Sequence, residues 1–283
     1  MKKLIITAIT ALSLAAPVAF SAGGGTTYPN EKANVNLANQ ESLQNGAKLY
    51  LNYCAGCHSM EYVRYSRIAQ DLGLTEEQVM ANLVVGDQKF GDPIKKSMTK
   101  SYAKKVFGVD PLDLSLAARV RGEDWLYNYL TSFYADPSRP YGMNNTVFPD
   151  VGMPHILADL QGEQVLTEEW VAAESAIKAA KNVIADANAT DAEKSEANAS
   201  LAEAEEAKAQ LSAEGGIFVQ TQEGELTAEE YKEEMRDLVA FMAYTANPVK
   251  LQSQSMGIWA ILFLLLLLVP AYFLKKEFWK DIH

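Results

Sequence analysis

Cys54-Ala55-Gly56-Cys57-His58 gathers both cysteines and one of the three histidines of a 283-residue chain. Two thiols three residues apart share one helical turn, a spacing that suits thioether bonds to the two vinyl groups of a haem, and the adjacent His58 is then placed to reach the iron. Three other chemistries use the same residue types. A redox dithiol of the thioredoxin kind needs a βαβ setting that the flanking sequence lacks. A zinc site needs further ligands, and a plain disulfide has no use for His58. The motif therefore predicts one covalently bound haem c, attached through Cys54 and Cys57, with His58 as an axial ligand to its iron.

Outward from the motif the pattern is helical. Leu43, Ala47, Tyr50 and Cys54 recur at spacings of four, three and four, which predicts a helix from about residue 41 into the cysteines. Thr75-Glu76-Glu77-Gln78 is a capping box announcing a second helix. A third is expected from Asp113-Leu114-Ser115 through Arg119 to Tyr134, with residues 86–93 and 137–154 as ordered loops rich in Gly, Pro, Asn and Asp. Another capping box, Thr227-Ala228-Glu229-Glu230, opens a helix whose stripe of Tyr231, Met235, Leu238 and Met242 reads as core, and which stops before Pro248. Residues 168–214 contain no Gly or Pro and are dominated by Ala, Glu, Lys and Asn, with a capping box at Thr190–Glu193. They read as an exposed hairpin of two helices hinged near residues 188–190, inserted into the surface of a mainly α haem domain.

The second axial ligand must come from elsewhere in the chain. Met60 is too close to His58 to reach around a haem, and Met235 and Met242 belong to the packing stripe. Met153, Met143 and His155 remain, with Met153 set in Gly152-Met153-Pro154, where glycine permits a close backbone approach and proline stiffens the strap. Haem propionates recruit arginine, and Arg119 and Arg121, followed by Trp125 and Tyr127, are the most concentrated candidates.

The two ends carry the densest apolar runs. Residues 1–21 begin with Lys2 and Lys3, continue through an apolar stretch and close on small residues, the order of a secretory signal peptide. Residues 256–274 are free of charge and include five consecutive leucines, the length of one helix across ~30 Å of hydrocarbon. Lys275, Lys276 and Lys280 then place the tail, 275–283, on the cytoplasmic side. His283 lies in that tail, away from any haem. The intervening 22–255 would be a periplasmic haem domain at a bacterial inner membrane. The whole chain carries −11, and 22–255 alone carries −14 once the lysines of the leader and the net single positive charge of the tail are set aside. Such a balance excludes a nucleic-acid partner and favours encounter with basic proteins.

An ordered set of motifs carries a resemblance beyond the haem signature: Cys57-His58-Ser59-Met60-Glu61-Tyr62-Val63, Asp113-Leu114-Ser115, Arg119-Val120-Arg121-Gly122-Glu123-Asp124-Trp125, Gly152-Met153-Pro154 and the C-terminal apolar run. Together they resemble the cytochrome c1 family of bc1 complexes, over nearly all of the mature chain except the alanine-rich 168–214. The resemblance implies a class I cytochrome c-like domain with long loops, in which the helix before the cysteines crosses the one before the anchor. It implies His58 and Met153 as the iron ligands and Arg121 beside a propionate. It further implies electron transfer from a Rieske iron–sulfur protein to a soluble or anchored c-type cytochrome, alongside cytochrome b in a dimeric quinol–cytochrome c oxidoreductase. The chain departs from the pattern at Trp125, which offers no phenol hydroxyl, and at 168–214. A membrane-tethered shuttle feeding an oxidase, or a tethered haem sensor with an open iron position, would use the same attachment motif.

Overall fold

The computed structural model describes residues 28–84 and 86–280, so the expected leader at 1–21 and His283 lie outside the described residues. Helix α1 (Gln40–Leu49) opens on Asn39, whose side chain accepts hydrogen bonds from the Glu41 and Ser42 amides. It then widens into a π-helical turn, Tyr50–Cys54, in which the Ala55 N–H reaches back to the Tyr50 carbonyl at 3.0 Å. The helix expected to enter the cysteines does so with a changed pitch, of the kind found at functional sites. Leu43, Ala47, Tyr50 and Cys54 are all buried on one face.

Strand β1 (Met60–Arg64) pairs antiparallel with β2 (Pro93–Ile94). Between them stand α2 (Tyr65–Leu72) and α3 (Glu76–Asn82), the latter with the Thr75–Gln78 capping box formed. Helix α4 (Lys100–Phe107) follows, capped by Thr99 and ended by Gly108. It buries only Ala103, which leaves too little apolar periodicity to be read from sequence. The single helix expected from Asp113 to Tyr134 is divided in two. Helix α5 (Ala117–Arg121) stops at Gly122, whose φ of +94° no ordinary helical residue adopts, and α6 (Glu123–Thr131) starts afresh after it. The chain then leaves helix altogether for β3 (Phe133–Ala135), paired with β4 (Met143–Asn145) inside the region expected as loop.

After α7 (Ala158–Gln161), strand β5 (Gly162–Leu166) leads into α8 (Glu168–Ala185) and α9 (Asp191–Glu214), which return to β6 (Phe218–Glu223), the antiparallel partner of β5. Helices α8 and α9 pack along each other. Lys208 of α9 pairs with Glu174 of α8 and lies 4.3 Å from the Trp170 ring centroid and 5.2 Å from that of Tyr28. With Ser212 Oγ accepting from the Asn30 N–H at 3.2 Å, the helix pair grips the incoming N-terminal segment.

Helix α10 (Ala228–Ala246), with its Thr227–Glu230 capping box, packs against α1, α5 and α6 and builds the centre of the core. It crosses α1 at Gly46, where an added Cβ would lie 2.1 Å from the Asp237 carbonyl oxygen and 2.7 Å from Phe241 Cβ. Glycine is thus what allows the two backbones to touch. Three residues later begins α11 (Lys250–Phe278), 29 residues of mean hydropathy 2.5 over its most apolar window, with none of its side chains buried. Among the described residues it is the helix long and apolar enough to cross a membrane, and it extends beyond the charge-free 256–274 at both ends.

Candidate haem site

The motif forms a closed turn at the end of the π-helical segment: the Cys57 and His58 N–H groups both donate to the Cys54 carbonyl, at 3.0 and 2.8 Å. Both cysteines are free thiols, Cys54 buried and Cys57 half-buried. Burial, reinforced by the neighbouring Cys57, pushes the Cys54 thiol up to about 12. The Tyr50 hydroxyl donates to the His58 carbonyl at 2.8 Å, tying the turn to the core.

His58 is fixed by the backbone of a distant loop. Its Nδ1 lies 2.7 Å from the Leu112 carbonyl oxygen. A carbonyl only accepts, so Nδ1 carries the proton and Nε2 keeps its lone pair for a metal. Burial lowers the proton affinity of this imidazole against the pull of the Leu112 carbonyl, which favours the neutral, ligating form. The loop is held in turn by Asp113, whose carboxylate accepts from Ser59 Oγ, the Glu61 N–H and the Ser115 N–H, at 2.8 Å each. Partial burial opposes ionisation of Asp113, but the donors of Ser115, Glu61 and Ser59 outweigh it and hold the carboxyl below the usual range. Asp113 and Ser115 thus act as splints for the motif, and the Leu112 carbonyl is the contact that sequence alone does not reveal.

A second group of candidates is joined by aromatic rings. The Arg121 guanidinium lies 4.8 Å from the Trp125 ring centroid, Trp125 stacks on Tyr129 at 5.1 Å, and the Tyr129 hydroxyl reaches Met153 Sδ at 3.4 Å. The structure therefore links Arg121 and Met153 through two rings that α6 presents at i, i+4 spacing. Tyr127, singled out from sequence, is buried on the other side of α6 under Arg236; Tyr129 was missed, although the four-residue interval Arg121, Trp125, Tyr129, Phe133 marks it. His155 is buried and stacked on Phe133 at 4.5 Å, with no hydrogen bond at Nε2. Met143, by contrast, lines a separate polar cleft with Asp159, Glu163 and Glu223.

The donor types suit a haem: the motif turn offers an imidazole with Nε2 left for a metal and two free thiols, and the second group offers a half-buried thioether linked through two rings to a guanidinium. Among the described residues no three His, Cys, Asp or Glu side chains converge as a metal-binding group, so Cys54, Cys57 and His58 do not make a cage by themselves.

Comparison with known proteins agrees. The family model described as "Cytochrome C1 family" matches residues 30–282. The chain belongs to the cytochrome C1 family. It is 42% identical to cytochrome c1 of Allochromatium vinosum over the full length of both chains. It is 37% identical to a Nitrosomonas europaea protein named ammonia monooxygenase gamma subunit, over 97% of each, and 23% identical to cytochrome c1 of Cereibacter sphaeroides, over 100% of this chain and 97% of the other. Membership of the cytochrome C1 family implies a haem c cofactor and a place in electron transport of a respiratory chain.

Proposed function

We propose that the chain is the electron-transfer subunit of a quinol–cytochrome c oxidoreductase of the bc1 type, taking one electron from a Rieske iron–sulfur protein and passing it to a soluble or anchored c-type cytochrome. The observation that carries this reading is the His58 imidazole, locked by the Leu112 carbonyl with Nε2 left for iron. A haem c held there would supply one-electron redox chemistry, and an iron held by two protein groups would suit electron transfer rather than oxygen activation. Cys54 and Cys57 would attach it, His58 and Met153 would hold its iron, the Tyr129 hydroxyl would orient the Met153 thioether, and Arg121, seated over Trp125, would neutralise a propionate.

The domain is class I cytochrome c-like, built on the α1–α10 crossing, with residues 168–214 as an inserted helical hairpin. Residues 1–21 direct export, 22–255 form the periplasmic domain, α11 spans the inner membrane through 256–274, and 275–283 end in the cytoplasm. Cytochrome b and the Rieske protein are its neighbours in a dimeric complex.

Two measurements test this. In the complex purified from native membranes, stepwise reduction should show b-type haem bands accompanying the c-type band in fixed proportion; a c-type band alone points instead to a tethered shuttle. In Met153→Ala, haem should remain attached while the sulfur-to-iron charge-transfer band disappears and the midpoint potential falls, within the ~0.8 V that axial ligand choice spans. An unchanged spectrum and potential removes Met153 from the site and leaves His155 as the ligand to examine.

A further inference from the structure

Between Ile94 and Val109 the sequence carries five lysines, Lys95, Lys96, Lys100, Lys104 and Lys105, and no Asp or Glu, in a chain of net charge −11. This basic segment is fastened at both ends to the haem-attachment motif. The Met98 N–H donates to the Gly56 carbonyl at 2.9 Å, and past the far end of α4 the Leu112 carbonyl accepts from His58 Nδ1 at 2.7 Å. Lys96 closes the base of the flap, pairing with Asp110 and donating to the Pro111 carbonyl at 3.0 Å. The Tyr141 hydroxyl donates to the Val106 carbonyl at 3.1 Å and the Tyr141 ring lies 5.9 Å from that of Phe107, so α4 is braced from behind as well.

The outer surface of the flap is not shaped for solvent alone. Lys95, Lys100, Lys104 and Lys105 are exposed, and among the described residues no ion pair engages them. Beside them Tyr102 is 56% exposed, Val109 65% and Leu112 63%. Apolar side chains among unpaired charges of one sign make a small contact centre with an orienting rim, the arrangement suited to brief, steered protein encounters.

We infer that this flap is the docking surface for an acidic electron carrier, whose carboxylates meet the α4 lysines while Tyr102, Val109 and Leu112 fill the middle of the contact. The inference rests on the electron-carrier reading above and narrows it, because the net charge of the domain by itself favours a basic partner. A carrier seated here touches the residue whose carbonyl holds His58, which puts it next to the redox site. The favourable field of four lysines acts within a Debye length of ~8 Å at physiological salt, so it governs orientation at contact while the acidic body governs the distant approach.

The test uses the full haem-loaded chain in detergent, reduced and then mixed with a basic c-type cytochrome or with the same cytochrome succinylated, its lysines converted to carboxylates. In K104E/K105E, the second-order rate with the succinylated carrier at low ionic strength should fall about tenfold, and the rate with the unmodified carrier should not fall. In K178E/K181E, which makes the same charge change on α8, the succinylated carrier should lose less than about twofold. K104Q/K105Q, which spares the end of α4 a reversed charge, should show a smaller loss in the same direction. Equal losses in the α4 and α8 variants, no loss in either, or a loss with the basic carrier too overturns the docking surface. So does a finding that the α4 lysines govern retention on phosphatidylglycerol vesicles but not the rate, since the face then meets lipid. If neither carrier form oxidises the wild-type chain, the electron-carrier reading itself fails, a result distinct from unaltered rates among variants.

Discussion

A buried imidazole with an unpartnered nitrogen is held uncharged by its surroundings, and His155 is such a group: burial, only partly opposed by Gln161, lowers its pKa from 6.5 to about 4. The unfolded chain takes up the proton near pH 6.5 and the folded chain only near 4, so stability is fully present above pH 6.5 and drains away as pH falls between those values. At about 1.4 kcal/mol for each pKa unit, the loss by pH 4 is on the order of 3 kcal/mol. Denaturant titrations at a series of pH values should show this slope in the native sequence and a flatter one in His155→Phe, which keeps the stack on Phe133. A slope that survives the substitution assigns the acid sensitivity elsewhere. At this scale the sequence tells much about Cys54, Cys57 and His58, because their chemistry is local. It is silent on the Leu112 carbonyl and on the Tyr129 hydroxyl beside Met153, because those partners meet only when segments 54 and 24 residues apart fold together.

At the scale of elements, the crossing of α1 and α10 rests on the missing side chain of Gly46. An alanine there would place Cβ against the Asp237 carbonyl, and backbone cannot yield as a flexible side chain does, so the helices must separate. Gly46→Ala should cost at least about 1–3 kcal/mol in the denaturant midpoint of the haem-loaded protein. An unchanged midpoint would show that the crossing adjusts freely. The helices legible in sequence are those that announce themselves locally, as the capping boxes at Thr75, Thr190 and Thr227 do. Helix α4 escapes notice because it lies on the surface with one buried side chain. The break at Gly122 escapes because the apolar pattern continues across it, and only the backbone angle separates α5 from α6.

For the whole molecule, the proposed division into an exported head and a membrane anchor predicts a clean separation. On that reading, a chain of residues 1–247 should appear in the periplasmic soluble fraction with haem attached, while the full chain should require detergent. Continued sedimentation of the short form with membranes would mean that α11 is not what holds the domain there. The connection between head and anchor has one more consequence. Only Asn247, Pro248 and Val249 separate α10 from α11, and the first residue of α11, Lys250, pairs with Glu123 of α6 at 2.7 Å. A joint this short and braced has little slack, so the head does not swing like a buoy on a rope. With α11 in the bilayer, as proposed, the haem site would keep a set height and heading above the membrane, and the travelling between electron donor and acceptor would fall to the proteins that visit it.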